Sequence, residues 1–215
     1  MDPAQAGPRS APLPRGLRST QHLGPRRPHV SDAFEGLRCR PLEQGLIATW
    51  REDYAAHGRD ASRPGFRAVA VHRFGVWRMG IRSKWIRAPF SVLYRFLERR
   101  IRNRYGIELA FGCHLGRRVV IEHQSAIVIH GSSFIGDDSI LRQGVTLGMR
   151  SVDDPFAAPT LGQRVDVGAG AKILGPVQIG DDAKIGANAV VLIDVPAGAL
   201  AVGVPAKVKT REGVR

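Results

Sequence analysis

His123 is the side chain in this sequence whose surroundings first suggest chemistry. Glu122 precedes it, Glu108 stands fifteen residues earlier, and a six-residue apolar pattern slips by two at this point. An imidazole titrates close enough to neutrality to take a proton from a hydroxyl and hand it to a leaving group. A carboxylate on the other ring nitrogen fixes the tautomer and steadies the imidazolium that forms. The alternative is that His123 only fills a corner. His114 and His130 have no such support and read as surface residues, while His72 reads as a packed helix residue.

The pattern that slips at His123 is clearest further on. Every sixth residue from Leu161 is aliphatic (Leu161, Val167, Ile173, Ile179, Ile185, Val191), and glycine follows at Gly162, Gly168, Gly180 and Gly186. A period of six fits neither a helix nor an alternating strand. It predicts hexapeptide repeats wound into a parallel β-helix, each short strand turning one aliphatic residue inward. The same phase extends back through Leu147, Leu141 and Ile135 to Ile129, whereas Leu109, Leu115 and Ile121 keep another. A two-residue insertion therefore falls near His123 and Gln124. Between Leu147 and Leu161 fourteen residues stand for twelve, and the run from Met149 to Thr160 reads as an extruded loop. Insertions in solenoids collect on the binding face, so both irregularities mark candidate site residues.

Composition sets the limits. A chain of 215 residues with 43% hydrophobic content can bury a real core in one or two compact domains. Its two cysteines, Cys39 and Cys113, match no metal spacing, nothing calls for a metal, and a reduced cytoplasmic setting is expected. There is no apolar run of about eighteen residues to span a membrane and no apolar core of a secretory signal. The net charge of +13 is uneven: residues 1–105 carry 21 Lys and Arg against 8 Asp and Glu, and residues 106–215 carry 11 against 11. The basic excess thus lies wholly ahead of the solenoid.

Residues 1–30, rich in Pro and Arg, are expected to form a disordered tail. Residues 31–105 read as a basic helical domain. Ser31 and Asp32 could cap a first short helix, and a second spans Leu42 to Ala56. A third follows Arg63-Pro64-Gly65 from Phe66 to Trp85, Pro89 ends or restarts it, and a last one covers Phe90 to Ile101. Its tryptophans form the domain's own core or an oligomer contact; the alternative is weak contact with a membrane surface. The cluster Arg99, Arg100, Arg102 and Arg104 reads as a solvated face rather than a nucleic-acid site, since no aromatic platform accompanies it.

Several segments carry a resemblance: Pro64-Gly65-Phe66-Arg67-Ala68 with His72-Arg73 and Trp77; Gly106-Ile107-Glu108; Ile121-Glu122-His123; Gln143-Gly144-Val145-Thr146-Leu147-Gly148; Val167 to Gly175; Ile185-Gly186-Ala187-Asn188; and Gly203-Val204-Pro205-Ala206. In order and spacing they resemble the bacterial serine O-acetyltransferases from about Glu52 to Lys207. That resemblance implies a small N-terminal α-helical cap, a left-handed parallel β-helix over residues 106–207 and a C-terminal tail over 208–215. It implies a homotrimer or dimer of trimers, with acetyl-CoA as a co-substrate lying between neighbouring solenoids and no permanently bound cofactor. His123 would be the general base and Glu108 its partner, Glu122 and Arg150 would meet a small hydroxyl acceptor, and Gly148, Ala169, Lys184, Ala187 and Gly203 would line the coenzyme groove. Transfer would be direct, since no Cys or Ser in the motif suggests a covalent intermediate.

The departures concern the acceptor. Where the family has an Arg-His pair before a proline in the loop, this chain reads Ala157-Ala158-Pro159, and Ala110 replaces a further histidine. L-Serine is the expected acceptor; a sugar hydroxyl, or a non-catalytic scaffold, is the alternative. The chain ends Glu212-Gly213-Val214-Arg215, without the terminal isoleucine by which the family docks into the next enzyme of cysteine synthesis.

Overall fold

The structure, a computed structural model, describes Leu42 and residues 44–209. The Pro/Arg-rich tail, the helix expected at Ser31 and Asp32, and the chain from residue 210 lie outside the described residues. Three helices come first among those described: α1 Leu46–Ala56, α2 Pro64–Met79 and α3 Lys84–Tyr105. Pro64 opens α2, where its fixed φ suits a first turn that has no use for its missing N–H. Ser83 caps α3 by accepting from the Ile86 N–H at 3.5 Å, and Gly106, at φ 62°, ends it in the left-handed conformation.

The helix boundaries differ from the sequence expectation. The chain breaks at residues 80–83, ahead of Trp85, and Pro89 lies inside α3 rather than ending a helix. Proline there forgoes the bond to the Trp85 carbonyl and crowds that oxygen with its ring. Trp85 is 90% exposed, so water can take that place. The tryptophans divide accordingly. Trp50 donates to the Ala70 carbonyl at 3.0 Å and Trp77 packs between Phe74 and Phe90 at 5.8 and 5.4 Å, both within the helical domain, while Trp85 faces outward.

The solenoid has three faces. The first stacks β1 (Ile107–Leu109), β4 (Ile127–Ile129), β7 (Thr146–Gly148), β10 (Lys172–Leu174) and β13 (Val190–Val191). The second stacks β2 (His114–Leu115), β5 (Phe134–Ile135), β8 (Thr160–Leu161) and β11 (Gln178–Ile179). The third stacks β3 (Val120–Ile121), β6 (Ile140–Leu141), β9 (Asp166–Val167), β12 (Lys184–Ile185) and β14 (Leu200–Val202), closed by β15 (Lys207–Lys209), which turns back antiparallel. Inward residues from Leu115 to Val191 at the six-residue positions form one continuous core.

Register measures the two irregularities. Ile107 pairs with Ile127, twenty residues on, where Val128 to Thr146 takes eighteen, so the first coil carries two extra residues at the corner holding His123. The loop is longer than the sequence count suggests. Leu147 and Leu161 occupy consecutive strands, so fourteen residues replace six and eight loop out. Counting by sixes hides this, because a whole repeat can vanish without shifting the phase.

Among the described residues no strand lies outside the first coil, and the helices supply its missing partners. Arg73 and Asp53, 3% and 0% exposed, pair at 2.9 Å. The same guanidinium donates to the Leu115 and Gly116 carbonyls, each at 2.6 Å, and His72 donates to that of Cys113 at 3.2 Å. Gly65 lets α2 touch the coil directly, since a Cβ there would lie 1.9 Å from the Ile121 carbonyl oxygen. Buried His57 has Nδ1 2.7 Å from the Asp53 carbonyl oxygen and Nε2 3.3 Å from the Ile121 amide nitrogen. An amide can only donate, so Nε2 accepts and Nδ1 carries the proton.

Burial, first among the causes, holds His57 below its ordinary 6.5 and keeps it in this neutral form. A base whose folded pKa is lowered contributes its full stability above the ordinary value and loses it as pH falls through the folded value. The melting temperature, followed by circular dichroism from about pH 8 to about pH 5, should therefore decline in acid. His57→Gln should melt lower near neutrality and show a flatter acid slope; an unchanged slope would assign the acid sensitivity to other groups.

Candidate active site

The corner from the third face to the first recurs at residues 122–126, 142–145, 168–171 and 186–189, and residues 203–206 turn β14 back into β15 at the same edge. Backbone bonds tie these corners into a column: Gly144 N–H to Ser125 O at 2.9 Å, Gly170 to Gln143 and Asn188 to Ala169 at 2.8 Å, and Val190 to Gly203 at 3.0 Å. The first corner is the widened one. His123, Ser125 and Ala126 all take positive φ, at 64°, 98° and 53°, and residues 123–126 are exposed. Side chains other than glycine adopt that conformation at a cost. The insertion thus lifts the imidazole clear of the coil.

Glu122, half-buried beside it, pairs through Oε2 with Arg142 Nε at 3.0 Å, and Arg142 Nη1 also pairs with Asp166. Further along, Ala169, Ala187 and Gly203 lie on the same column as His123. Its smallness is enforced partly by stacking: a Cβ on Gly168 would lie 2.6 Å from the Ala187 amide nitrogen, and one on Gly170 2.0 Å from Asn188 Oδ1. Lys184 stands on the adjoining third face and is exposed.

Other residues expected at the site are not gathered here within one protomer. Glu108 is exposed on β1, opposite Val128, and no hydrogen bond or ion pair joins it to His123 among the described residues. Gly148 ends β7 and Arg150 lies just beyond it, at the opposite edge of the first face, over Gly175. In the loop, Ala157 and Ala158 are 5% and 2% exposed, while Val152 and Phe156 project into solvent. His130 accepts from the Ser132 N–H at 3.2 Å, and His114 stacks on Phe134 at 4.2 Å.

The sequence reading missed Arg142 and Asp166. The available signal was Arg142's position twenty residues after Glu122, one widened coil. It also missed a cavity of about 240 Å³ where the helices meet the second face, lined by Glu52, His72, Arg73, Cys113 and Arg117 among others. Burial pushes His72 there down to about 3, so it stands neutral.

Comparison with known proteins agrees with this architecture. The family model for bacterial transferase hexapeptide (six repeats) matches residues 158–192. The serine acetyltransferase of Synechococcus elongatus is 41% identical over 152 residues, 71% of this chain and 59% of that protein. That of Helicobacter pylori strain 26695 is 43% identical over 149 residues, 69% of this chain and 83% of its own. Soybean serine acetyltransferase without ligand superposes with a TM-score of 0.65 at 30% identity, covering 83% of this chain and 72% of that one. A serine acetyltransferase in complex with CoA superposes at 0.64 and 28% identity, covering 84% and 74%.

Helical cap and coil together define a left-handed β-helix transferase of hexapeptide repeats. Within that class, the chain belongs to the serine acetyltransferase family. The matched stretch spans about three fifths of the Synechococcus relative.

The column itself is testable. Gly170 sits at φ 74°, and a Cβ there would push against the Asn188 side-chain amide. Gly170→Ala should therefore cost about 2 kcal/mol and lower the melting temperature by several degrees. Adding Asn188→Ala should recover the steric part, and full tolerance of the single change would mean the corner is free to spread.

Proposed function

We propose that the protein is an acetyl-CoA-dependent O-acetyltransferase whose acceptor is L-serine, with His123 as general base. The observation that carries this reading is the exposed imidazole on a widened corner, at the head of a column of small residues running along the solenoid. Such a column lets an extended thioester arm lie close to the backbone. Relatives solved with CoA and with serine support the two substrates.

His123 takes the hydroxyl proton as the oxygen attacks the thioester carbonyl. The C–O bond forms, the tetrahedral oxyanion collapses, the C–S bond breaks, and the imidazolium returns its proton to the departing thiolate. Glu108 steadies the imidazolium from the other ring nitrogen, and Glu122 holds the substrate ammonium. Gly148, Ala169, Lys184, Ala187 and Gly203 line the coenzyme path. Arg150 and Gly148, at the far edge of the first face, reach a catalytic corner only across a contact between copies, in keeping with a homotrimer or dimer of trimers. A sugar hydroxyl is the second reading, favoured by the small, buried Ala157 and Ala158.

Thiol release from acetyl-CoA, measured with L-serine and with a panel of sugars, tests both. Serine-dependent release should fall by about 10²–10⁴-fold in His123→Ala. Release with a sugar alone would move the acceptor to the second reading, and an undiminished variant would remove His123 from its role.

The assembly can be examined separately. Trp85, Ile86, Val92, Leu93 and Phe96 leave an apolar stripe exposed along α3, which copies of the chain would cover. Weak contact with an anionic membrane surface is the other reading of that stripe, favoured by the seven Lys and Arg against one Glu on α3. Light scattering should give a multiple of the protomer mass that Trp85→Asp with Phe96→Asp reduces. A monomeric wild type that sediments with anionic vesicles would favour the membrane.

A further inference from the structure

We infer that Arg142 is the carboxylate anchor of the acceptor subsite, so that an amino-acid zwitterion binds by inserting into the Glu122–Arg142 ion pair. This deepens the serine reading above and rests on it. Arg142 lies one coil beyond Glu122: Ile121 pairs with Leu141, and the Glu122 N–H donates to the Leu141 carbonyl at 2.8 Å. Its Nε faces Glu122 Oε2 at 3.0 Å, and its Nη1 pairs with Asp166 and approaches the Val167 carbonyl at 3.5 Å. No bond from Nη2 occurs among the described residues, and the side chain is 29% exposed. The guanidinium therefore keeps its Nη2 group unbonded among the described residues on a side chain that is partly exposed.

Other cations are less well placed. Arg150 is at the far edge of the first face, and Lys172 spends its ammonium on the Gly144 carbonyl at 2.5 Å and Thr146 Oγ1 at 3.1 Å. Arg118 and Arg164 are paired with Asp138 and Asp182 at a different corner. Of these, it is Arg142 that combines a place beside Glu122 with an Nη2 group making no bond among the described residues.

The charges also fit an amino acid. Glu122, Arg142 and Asp166 sum to one negative charge, and a zwitterion adds none. When Glu122 turns from Arg142 to the incoming ammonium, Asp166 still holds the guanidinium, whose Nε and Nη2 edge is then open for two parallel bonds to a carboxylate. Coils are spaced by about 4.8 Å, so Glu122 and Arg142 can address two groups borne on one carbon. The hydroxymethyl on that same carbon is left for His123. Three different groups held at three points make the subsite selective for one enantiomer.

The test is steady-state kinetics at saturating acetyl-CoA with L-serine, D-serine and 2-aminoethanol, which lacks the carboxylate. Wild type should prefer L-serine to both. Arg142→Gln should raise the KM for L-serine about 10–100-fold relative to that for 2-aminoethanol while leaving the KM for acetyl-CoA unchanged. Arg142→Lys should recover part of the loss. A merely structural role would weaken all acceptors by one factor, and that result, or an unaltered KM for L-serine, overturns the assignment while leaving the serine reading intact. Equal KM values of wild type for L-serine and 2-aminoethanol overturn it without any variant. A wild type that acetylates a sugar and not serine removes the serine reading and this assignment together.

Discussion

A parallel β-coil cannot simply stop, because its first turn presents a row of backbone donors and acceptors with no neighbouring strand. Here the carbonyls of Cys113, Leu115 and Gly116 and the amide of Ile121 are that row, and His72, Arg73 and His57 meet it. The buried Arg73–Asp53 pair would be a poor source of stability if it served only itself, since desolvating two charges offsets most of their attraction. Its guanidinium fork also satisfies two carbonyls, and Asp53 supplies the countercharge. The same contacts fix the helices on the coil. From there α3 runs through Gly106 directly into β1, which sets the height of Glu108 and the start of the first face.

Most of the solenoid was legible because one inward residue in six is a constraint every coil must meet. Leu115, Ile121 and Ile135 fall inward as their spacing requires, and the slip at His123 is a widened corner. Quantities known only modulo six are not legible, so a count by sixes makes the loop after Gly148 shorter than it is. Helix limits failed for a different reason. The apolar spacing from Val69 to Trp85 continues across a real break, because Trp85 faces outward while Trp77 faces inward. Periodicity reports that a face exists without saying which way it points.

The balance of charge in the solenoid has a structural origin that sequence could not supply. Arg118 pairs with Asp138, Arg164 with Asp182, and Arg142 with both Glu122 and Asp166, each across neighbouring coils. Partly exposed pairs of this kind contribute little apiece. They do set register, because a coil shifted by one residue would carry every guanidinium away from its carboxylate. The Arg142 ladder differs from the others in standing at the corner that bears His123, so the same register that aligns the fold also fixes a cation and two carboxylates beside the candidate base.

Glu108 and His123 are both exposed and unjoined in a single protomer. In water, two such groups gain little from one another, since solvent screens the attraction and each keeps its own hydration. Covering the corner with a neighbouring solenoid changes the balance: water leaves, the effective dielectric falls, and a carboxylate on the imidazole becomes the best available partner for the cation formed as the proton is taken. The apolar stripe on α3 and the projecting Phe156 and Val152 are further surfaces a lone protomer leaves wet. On this argument the pairing proposed for Glu108 and His123 is a property of the assembly proposed for the chain. The strained φ at His123, Ser125 and Ala126 is then what holds the imidazole out far enough to be shared.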